Sequence, residues 1–308
     1  MDIFPILLTI AGLCLFEIIC SIDNAIINAE VLGTMQEKFR RWFLVWGILF
    51  AVFVVRGLLP LLLIWLSAPE LSLWEAFTAM FSDSLDVKDA IEQSTPLLLT
   101  GGGVFLIFLF LHWLFLEEKH FGLIGERYLS SKGVWFYAIV SIFLAAIVWL
   151  ALDKNPLMAF SAVIGSTAFF IVHGFRQNAE LQEKKLLGTG LSDMSKILYL
   201  EVIDATFSID GVVGAFAFTL SVPLILIGNA LGAIAVRQLT ISNIDRIRRY
   251  VFLKNGAMYS IFFLGFIMLL DSFGFLIPKW VSPVITFGIV GYFFIRSVSY
   301  SRQMVSEG

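Results

Sequence analysis

Long apolar runs recur along the whole chain and are separated by short polar connections. An α-helix needs about 20 residues to cross the roughly 30 Å hydrocarbon core of a bilayer. The runs therefore predict an all-α, polytopic helical membrane protein with about nine transmembrane helices. The predicted segments are 3–33, 43–66, 97–116, 134–152, 157–174, 197–219, 222–240, 256–276 and 281–300.

Lysine and arginine are concentrated on alternate connections between these segments. With the N-terminus outside, seventeen of the 21 basic residues belong to the inner side, and only Lys88, Lys154 and Lys279 belong to the outer side. An excess of basic residues is typical of cytoplasmic loops. The distribution predicts an outside N-terminus and an inside C-terminus. It also supports the segment count, because the loss of one span would scramble the alternation.

The composition excludes an ordinary soluble protein. Hydrophobic residues make up 59% of the chain, charged residues 15%, and the mean hydropathy is +0.90. A soluble globular domain is far less apolar. We expect one transmembrane domain over residues 1–308. The N-terminus lacks the basic region of a cleavable signal, so segment one is expected to be retained. Cys14 and Cys20, both in segment one, are expected to be packed thiols without a disulfide.

The longest outer connection, residues 67–96, is acidic and carries aromatic residues at helical spacing. Trp74 and Phe77 are three residues apart, with Leu71 and Phe81 close by. Such spacing places apolar side chains on one face of a helix. The pattern predicts a short helix that lies at the membrane interface.

One polar motif occurs twice inside apolar segments. Glu17 precedes Ser21-Ile22-Asp23 in segment one, and Asp204 precedes Ser208-Ile209-Asp210 in segment six, with every position displaced by 187. A charge at the bilayer centre costs about 3 kcal/mol or more, and such residues typically mark an ion or proton pathway. The two motifs are therefore the first candidates for a functional site.

The predicted topology makes the two copies run in opposite directions. Segment one runs from outside to inside, whereas segment six runs from inside to outside. Inverted-topology repeats are typical of secondary transporters, which bind substrates and ions near the bilayer midplane. We expect repeat 1 at about 1–120, insert helices at about 130–176 and repeat 2 at about 195–308, with the two motifs facing each other in antiparallel orientation.

Helical geometry divides the polar residues of each copy. At 100° per residue, Glu17, Ser21, Asn24 and Asn28 form one stripe, whereas Asp23 lies about 120° away. A straight helix cannot aim both carboxylates of one copy at one point. We expect helices 1 and 6 to be broken near the midplane, with Gly211 and its neighbour Gly214 giving the backbone freedom. The alternative is that each aspartate faces a different neighbour.

The motif residues form an oxygen-rich set that suits a hard divalent cation. Hard cations such as Mn(II), Ca(II) and Mg(II) prefer oxygen ligands, whereas zinc favours His and Cys. None of the three histidines, His112, His120 and His173, stands at a motif position. We also expect protons to take part. The candidate metal ligands are Glu17, Asp23, Glu201, Asp204 and Asp210, with Ser21, Asn24, Asn28 and Ser208 as secondary candidates.

Other polar or glycine-rich positions have simpler interpretations. Arg56, in the middle of segment two, is interpreted as a counter-ion for the acids, and the acids themselves could be purely structural partners of such a cation. Asn229 suits either a hydrogen bond between helices or a pathway lining. Asp271 is expected at the interface. Gly101-Gly-Gly103 lacks the Lys and Ser/Thr of a phosphate loop, so we predict close helix packing there.

Four short stretches resemble one family of membrane proteins. Phe16-Glu17 through Ser21-Ile-Asp-Asn-Ala25 is similar to the first signature of the TerC (tellurite-resistance) family, and Glu201-x-x-Asp204-x-x-Phe207-x-x-Asp210 is similar to its second. Gly102-Gly-Val-Phe-Leu and Leu253-Lys-Asn-Gly256 resemble further landmarks. The chain departs from the usual pattern after Asp210, where Gly211-Val-Val replaces Ser and Pro.

The resemblance implies a transporter of the LysE-type superfamily in the bacterial cytoplasmic (inner) membrane. Several TerC members are linked to manganese efflux, and the family pattern points to the same five acids. The alternatives are a small-solute exporter, for example of amino acids, and a membrane protein that loads metal into a partner without transport. The sequence carries no enzyme motif, and we expect no prosthetic group and no nucleic-acid partner.

Overall fold

The chain folds into helices that pack side by side. The computed structural model describes residues 3–47, 50, 56–67, 72–79, 85–119, 121–186, 192–247 and 250–307, and within these ranges it contains no β-strand. In chain order the helices are α1 (Ile3–Gly33), α2 (Glu37–Trp42), α3 (Arg56–Ser67), α4 (Leu73–Ala79), α5 (Leu85–Leu116), α6 (Ile124–Ser130), α7 (Trp135–Leu152), α8 (Pro156–Leu186), α9 (Asp193–Ala215), α10 (Val222–Ile247), α11 (Leu253–Ser272) and α12 (Val281–Glu307); a π-helical turn at Phe43–Gly47 follows α2.

Six helices of the described chain are long and apolar enough to cross a membrane. The qualifying stretches are Ile3–Ile22, Gln93–Leu116, Trp135–Leu152, Pro156–Asn178, Leu253–Ser272 and Val281–Gln303. Helix α10 has a shorter apolar stretch, Val222–Gln238. Large apolar side chains such as Trp149 and Phe160 are exposed on this bundle, as expected for a protein surrounded by lipid. The all-helical membrane architecture is therefore confirmed.

The two closely spaced pairs of predicted segments are separate helices. Helix α7 ends at Leu152 and α8 begins at Pro156; proline suits a first helical position because its missing N–H has no partner there. Helix α11 ends at Ser272, followed by a turn at Gly274 with a φ of 90°, and α12 begins at Val281. All four helices are among the six long apolar ones.

The outer connection differs from the prediction at the start of α5. Helix α5 begins at Leu85, twelve residues before the predicted segment, so part of the outer connection is helical. Helix α4 confirms a short helix there, and the rings of Trp74 and Phe77 stack at 5.7 Å. Leu71 and Phe81 lie outside the described residues, as does part of the predicted segment 43–66.

Contacts between helices define the direction in which each one runs. Leu13 faces Gly228 and Glu17 faces Gly232, so α1 and α10 are parallel. Helices α5 and α8 are parallel by the same reasoning, since two aromatic pairs advance together along both. Antiparallel pairs are α1 with α9, α5 with α7, α5 with α11, and α11 with α12.

Helix α5 lies at the centre of the bundle and packs through glycines. Its apolar stretch is the most deeply buried of the six, and it contacts α7, α8 and α11. Gly101 meets Gly165 of α8 backbone to backbone, and Gly103 meets Gly265 of α11. Small residues let helix backbones approach closely in membranes. The prediction that Gly101–Gly103 serves helix packing is confirmed.

The predicted breaks in helices 1 and 6 are wrong. Helix α1 is continuous over Ile3–Gly33 and α9 over Asp193–Ala215. The glycines of the second motif serve a different purpose: Gly211 makes room for the carboxylate of Glu17, and Gly214 makes room for the ring of Phe16. These positions need a small residue because a neighbouring helix is close.

We predict that Gly165→Ala lowers the free energy of unfolding by about 1–3 kcal/mol, the usual cost of overpacking. A Cβ at this position would collide with the backbone carbonyl of Gly101, which cannot rotate away. The measurement is thermal unfolding of the purified protein in detergent.

Gly174→Ala is the matched control on the same helix. A Cβ there has nothing within 4 Å, and alanine has the higher helix propensity, so stability should stay the same or rise slightly. Equal losses in the two variants would contradict the proposed close approach of α5 and α8.

Candidate functional site

Helices α1 and α9 bring the two copies of the motif together. Asn24 of α1 donates a hydrogen bond to Asp204 of α9 at 2.5 Å, and Gly211 of α9 lies against Glu17, whose Oε2 is 2.9 Å from an ideal Cβ position there. Positions 24 and 211 correspond in the two copies, as do 17 and 204. In each copy, the residue after Ser-Ile-Asp faces the first carboxylate of the other copy.

Glu17 is almost fully buried and is bound by two side chains. Arg56 of α3 donates to its Oε1 from Nη2 at 2.5 Å and from Nε at 3.1 Å. Ser21, one turn further along α1, donates to the same oxygen at 2.7 Å. The prediction that Arg56 is a counter-ion of the acids is confirmed.

Arg56 also links the two motif helices. Its Nη1 lies 3.8 Å from Oδ2 of Asp204 on α9, while its other nitrogens hold Glu17 on α1. One guanidinium therefore bridges the first carboxylates of both copies. Ser208 of the second copy donates to the backbone carbonyl of Asp204 at 2.6 Å, as a serine one turn along a helix commonly does.

Glu201 lies one turn before Asp204 on α9 and faces the π-helical turn. Arg237 of α10 is 4.0 Å from its carboxylate and donates to the backbone carbonyl of Phe43 at 2.7 Å. The guanidinium carbon also lies 4.2 Å from the centre of the Phe43 ring. Gly47 leaves room for the carboxylate of Glu201. Short π-helical segments are frequent at functional sites.

Asp210 does not join the other acids. Its Oδ2 accepts a hydrogen bond from Nη2 of Arg176 on α8 at 2.5 Å, so the two aspartates of α9 face different neighbours. Of the two arrangements left open by helical geometry, the structure of α9 shows the second. The side chain of Asp23, the equivalent residue of copy one, lies outside the described part of the chain.

Several buried oxygens at this interface have no hydrogen-bond partner among the described residues. They are Oδ1 of Asn24, Oδ1 of Asn28 and both carboxylate oxygens of Glu201. The antiparallel register that pairs residue 24 with 204 places residue 28 beside 200 and 201. Because buried oxygens without a donor are costly, this group is where a cation would be most strongly stabilised.

The site has one more negative charge than positive when all its groups are ionised. Glu17, Asp204 and Glu201 supply three negative charges, and Arg56 and Arg237 supply two positive ones. Within the described residues, no group of three or more His, Cys, Asp or Glu side chains is gathered closely enough to hold a metal ion as they stand. A cation here would compete with the guanidiniums of Arg56 and Arg237 for the carboxylates.

Apolar contacts cover the acids towards both ends of the bundle. On one side, six buried side chains pack together, and Lys196 of α9 donates to Thr34 of α1 at 2.9 Å. On the other side, Phe16 packs on Phe218 at 5.7 Å. The cluster near Thr34 consists of Val31, Leu32, Met35, Phe43, Ile197 and Leu200.

Sequence reasoning assigned Arg176 and Arg237 to the inner connections and missed their pairing with the acids. Basic residues near the end of a span are normally explained by the cytoplasmic excess of Lys and Arg. The positions of the two arginines indicated that they could reach the acids. Arg237 falls inside the predicted segment 222–240, and Arg176 follows the end of a predicted segment by two residues. Asp271 is exposed at the end of α11, in keeping with an interfacial position.

We predict that Arg56→Gln lowers the free energy of unfolding by about 3–5 kcal/mol, because it leaves a buried carboxylate without its partner. The double variant Glu17→Gln with Arg56→Gln should recover part of that loss, since the closest buried ion pair is then removed whole while Asp204 still lacks its cation. Denaturant or thermal unfolding of the purified variants measures both effects.

Arg41→Gln is the control for this experiment. Arg41 pairs with Glu37 on the exposed surface of α2, and exposed pairs contribute little, so no measurable change is expected. A single Arg56 variant as stable as the wild type would contradict the buried ion pair.

Comparison with known proteins gives one match that covers most of the chain. The family described as protein of unknown function (DUF475) matches residues 22–304. No curated protein and no solved structure matches the chain. The matched region contains Asp204, Glu201 and Arg56 but begins after Glu17. The chain belongs to the DUF475 family of proteins of unknown function.

Proposed function

We propose that this protein is a transporter that exports divalent metal cations, with Mn(II) as the first ion to test, by alternating access through the acidic site between α1 and α9. The observation that carries the proposal is the group of buried oxygens of Asn24, Asn28 and Glu201 that accept no hydrogen bond among the described residues, beside an excess negative charge. Carboxylate and amide oxygens are the ligands that hard divalent cations prefer.

Arginine acts as the internal substitute for the transported ion in this proposal. Arg56 and Arg237 neutralise the acids when no metal is bound, which avoids burying uncompensated charge. A divalent cation at Glu17, Asp204 and Glu201 takes over that role and releases the guanidiniums. Displacement of an arginine by the substrate also supplies a local change that can be transmitted to α3 and α10.

We propose that the chain forms a nine-span inverted repeat, an architecture that suits this mechanism. The helices equivalent to the nine predicted segments alternate in direction wherever their contacts define it, as nine successive spans would. The reciprocal contacts of Asn24 with Asp204 and of Gly211 with Glu17 relate the two motif helices by an approximate two-fold axis. Transporters with inverted repeats bind substrate at such an axis.

The apolar cover on both ends of the site fits an occluded state. In the predicted orientation, Asn28 and Glu201 lie on the cytoplasmic side of Glu17, beneath the cluster around Phe43 and Leu200. Separation of the inner ends of α1 and α9 would expose these oxygens first. We therefore propose that cations bind from the cytoplasm and leave on the outer side.

A small-solute exporter is the second candidate, because two buried arginines, Arg56 and Arg237, lie among the acids. Arg56 and Arg237 could bind the carboxylate of an amino acid, and Glu201 could bind its ammonium group. Excess amino acids would then inhibit transport, whereas a metal transporter should be inhibited only by competing divalent ions. A partner protein that loads metal without transport would bind Mn(II) and show no flux.

We predict that the purified protein in liposomes moves Mn(II), and that Glu201→Gln and Glu17→Gln each reduce the rate by at least about tenfold, the lower end of what lost support of a metal ligand costs. Each change removes one negative charge while it preserves side-chain size. The measurement is Mn(II)-dependent quenching of a dye inside the vesicles.

Asp271→Asn is the matched control, because this acid lies exposed at the end of α11, away from the site. Its rate should equal that of the wild type. Absence of Mn(II), Ca(II) and Mg(II) movement under every ion gradient would overturn the proposed function, and so would equal inhibition by all three substitutions.

A further inference from the structure

A groove runs along the bundle between the helices of the acidic site and the central helix. Residues of α3, α5, α8 and α9 line it, and its volume is about 300 Å³. The lining residues of α8 extend from Leu157 to Val172, which is about 22 Å of helix at 1.5 Å per residue. A volume distributed over that length suits a thin, extended guest.

Small residues create the space of the groove. Gly101 and Gly165, where α5 and α8 meet backbone to backbone, line it together with Ala168. Phe105 and Val213 also line it, and both are buried. The groove therefore reaches from the surface into the interior of the bundle, because side chains that could fill it are missing from α5 and α8.

The rim of the groove belongs to the lipid-facing surface. Leu66 of α3 and Phe160 of α8 line the groove and are 66% and 63% exposed, and Leu157 and Ile164 of α8 are exposed as well. The three α8 residues lie in Pro156–Asn178, a stretch long and apolar enough to cross a membrane. The groove is thus continuous with the surface that the hydrocarbon chains of the bilayer cover.

The lining of the groove favours hydrocarbon over polar guests. Among the described residues that line it, only Ser161 has a polar side chain, and its hydroxyl donates to the backbone carbonyl of Leu97 at 2.5 Å. An apolar cavity of this kind stays dry and binds apolar molecules. A charged or zwitterionic headgroup would find no partner among these residues, so it would remain outside the groove.

We propose that one acyl chain of a phospholipid from the surrounding bilayer is bound in this groove. The chain enters from the side, across the exposed rim, while the headgroup stays at the membrane surface. The length of about 22 Å along α8 accommodates a whole chain, because the two leaflets together make a hydrocarbon core about 30 Å thick. This inference does not depend on the proposed function.

The bound chain would support the helices that hold the acidic site. Ile209 and Val213 of α9 line the groove, whereas Asp210 between them faces Arg176 of α8. Helix α3, which also lines the groove, carries Arg56. The chain fills the space between these two helices and α5, and a ligand that binds only the folded state raises its stability.

The test uses the full-length protein, purified in detergent and washed free of lipid. Long-chain phosphatidylcholine should raise the unfolding temperature, and long-chain phosphatidylglycerol should do so equally, because the headgroup lies outside the groove. Short-chain phosphatidylcholine should have little effect, because it leaves the groove partly empty. Phosphatidylcholine with a photoreactive group near the end of one chain should label Phe105 or Val213, which are buried and line the groove.

Two variants and one control locate the binding. Ala168→Phe places a ring in the groove and should weaken binding at least about tenfold, since loss of contact with about two methylene groups has that effect. Leu66→Ala with Phe160→Ala removes two exposed side chains of the rim; it should also weaken binding, and it remains informative if Ala168→Phe does not fold. Ala146→Phe, at an exposed position of α7 outside the groove, should bind lipid like the wild type.

Each result supports or overturns the proposal. Label on Phe105 or Val213 that is lost in Ala168→Phe and retained in Ala146→Phe supports it. Label confined to exposed side chains would overturn it, because lipid would then only surround the protein. A response that depends on the headgroup but not on chain length would overturn it too, as would retention of a free fatty acid in place of a phospholipid. Mn(II) transport tests the proposed function separately, and its absence would leave this inference standing.

Discussion

Every buried charge in this bundle needs a partner, and Arg56 meets that need for both motif helices at once. It holds Glu17 of α1 and reaches Asp204 of α9, so the first carboxylates of the two copies share one guanidinium. The antiparallel contact of α1 and α9 brings these groups together, and that contact is possible because Gly211 and Gly214 leave space for Glu17 and Phe16. Removal of the arginine would therefore disturb the site and the packing together.

Three arginines on three different helices divide the acids into separate groups. Arg56 on α3 and Arg237 on α10 face Glu17, Asp204 and Glu201, whereas Arg176 on α8 holds Asp210. The first group is proposed to bind the cation, and the second connects α9 to α8. Both groups include acids of the same continuous helix, α9, so a displacement of this helix at one group also moves the acid of the other.

The sequence predicted an all-helical membrane protein and the contact between the two helices that carry the motifs, because these follow from hydropathy and from the positions of intramembrane acids. It also predicted that Gly101–Gly103 packs against other helices. The continuity of α1 and α9 was not predicted, since Gly211 looks the same in a sequence whether it breaks a helix or makes room for Glu17. Arg237 and Arg176 were missed because basic residues near span ends usually follow the positive-inside rule.

The most direct test of the central claim is the position of a bound metal. Crystals of the protein soaked in Mn(II) can be measured at a wavelength where manganese scatters anomalously. The account predicts a peak between α1 and α9, within ligand distance of Glu201 and Asn28 and with Arg237 moved away from the carboxylate. A peak confined to the outer connection 67–96, with Arg56 and Arg237 still on their acids, would contradict it.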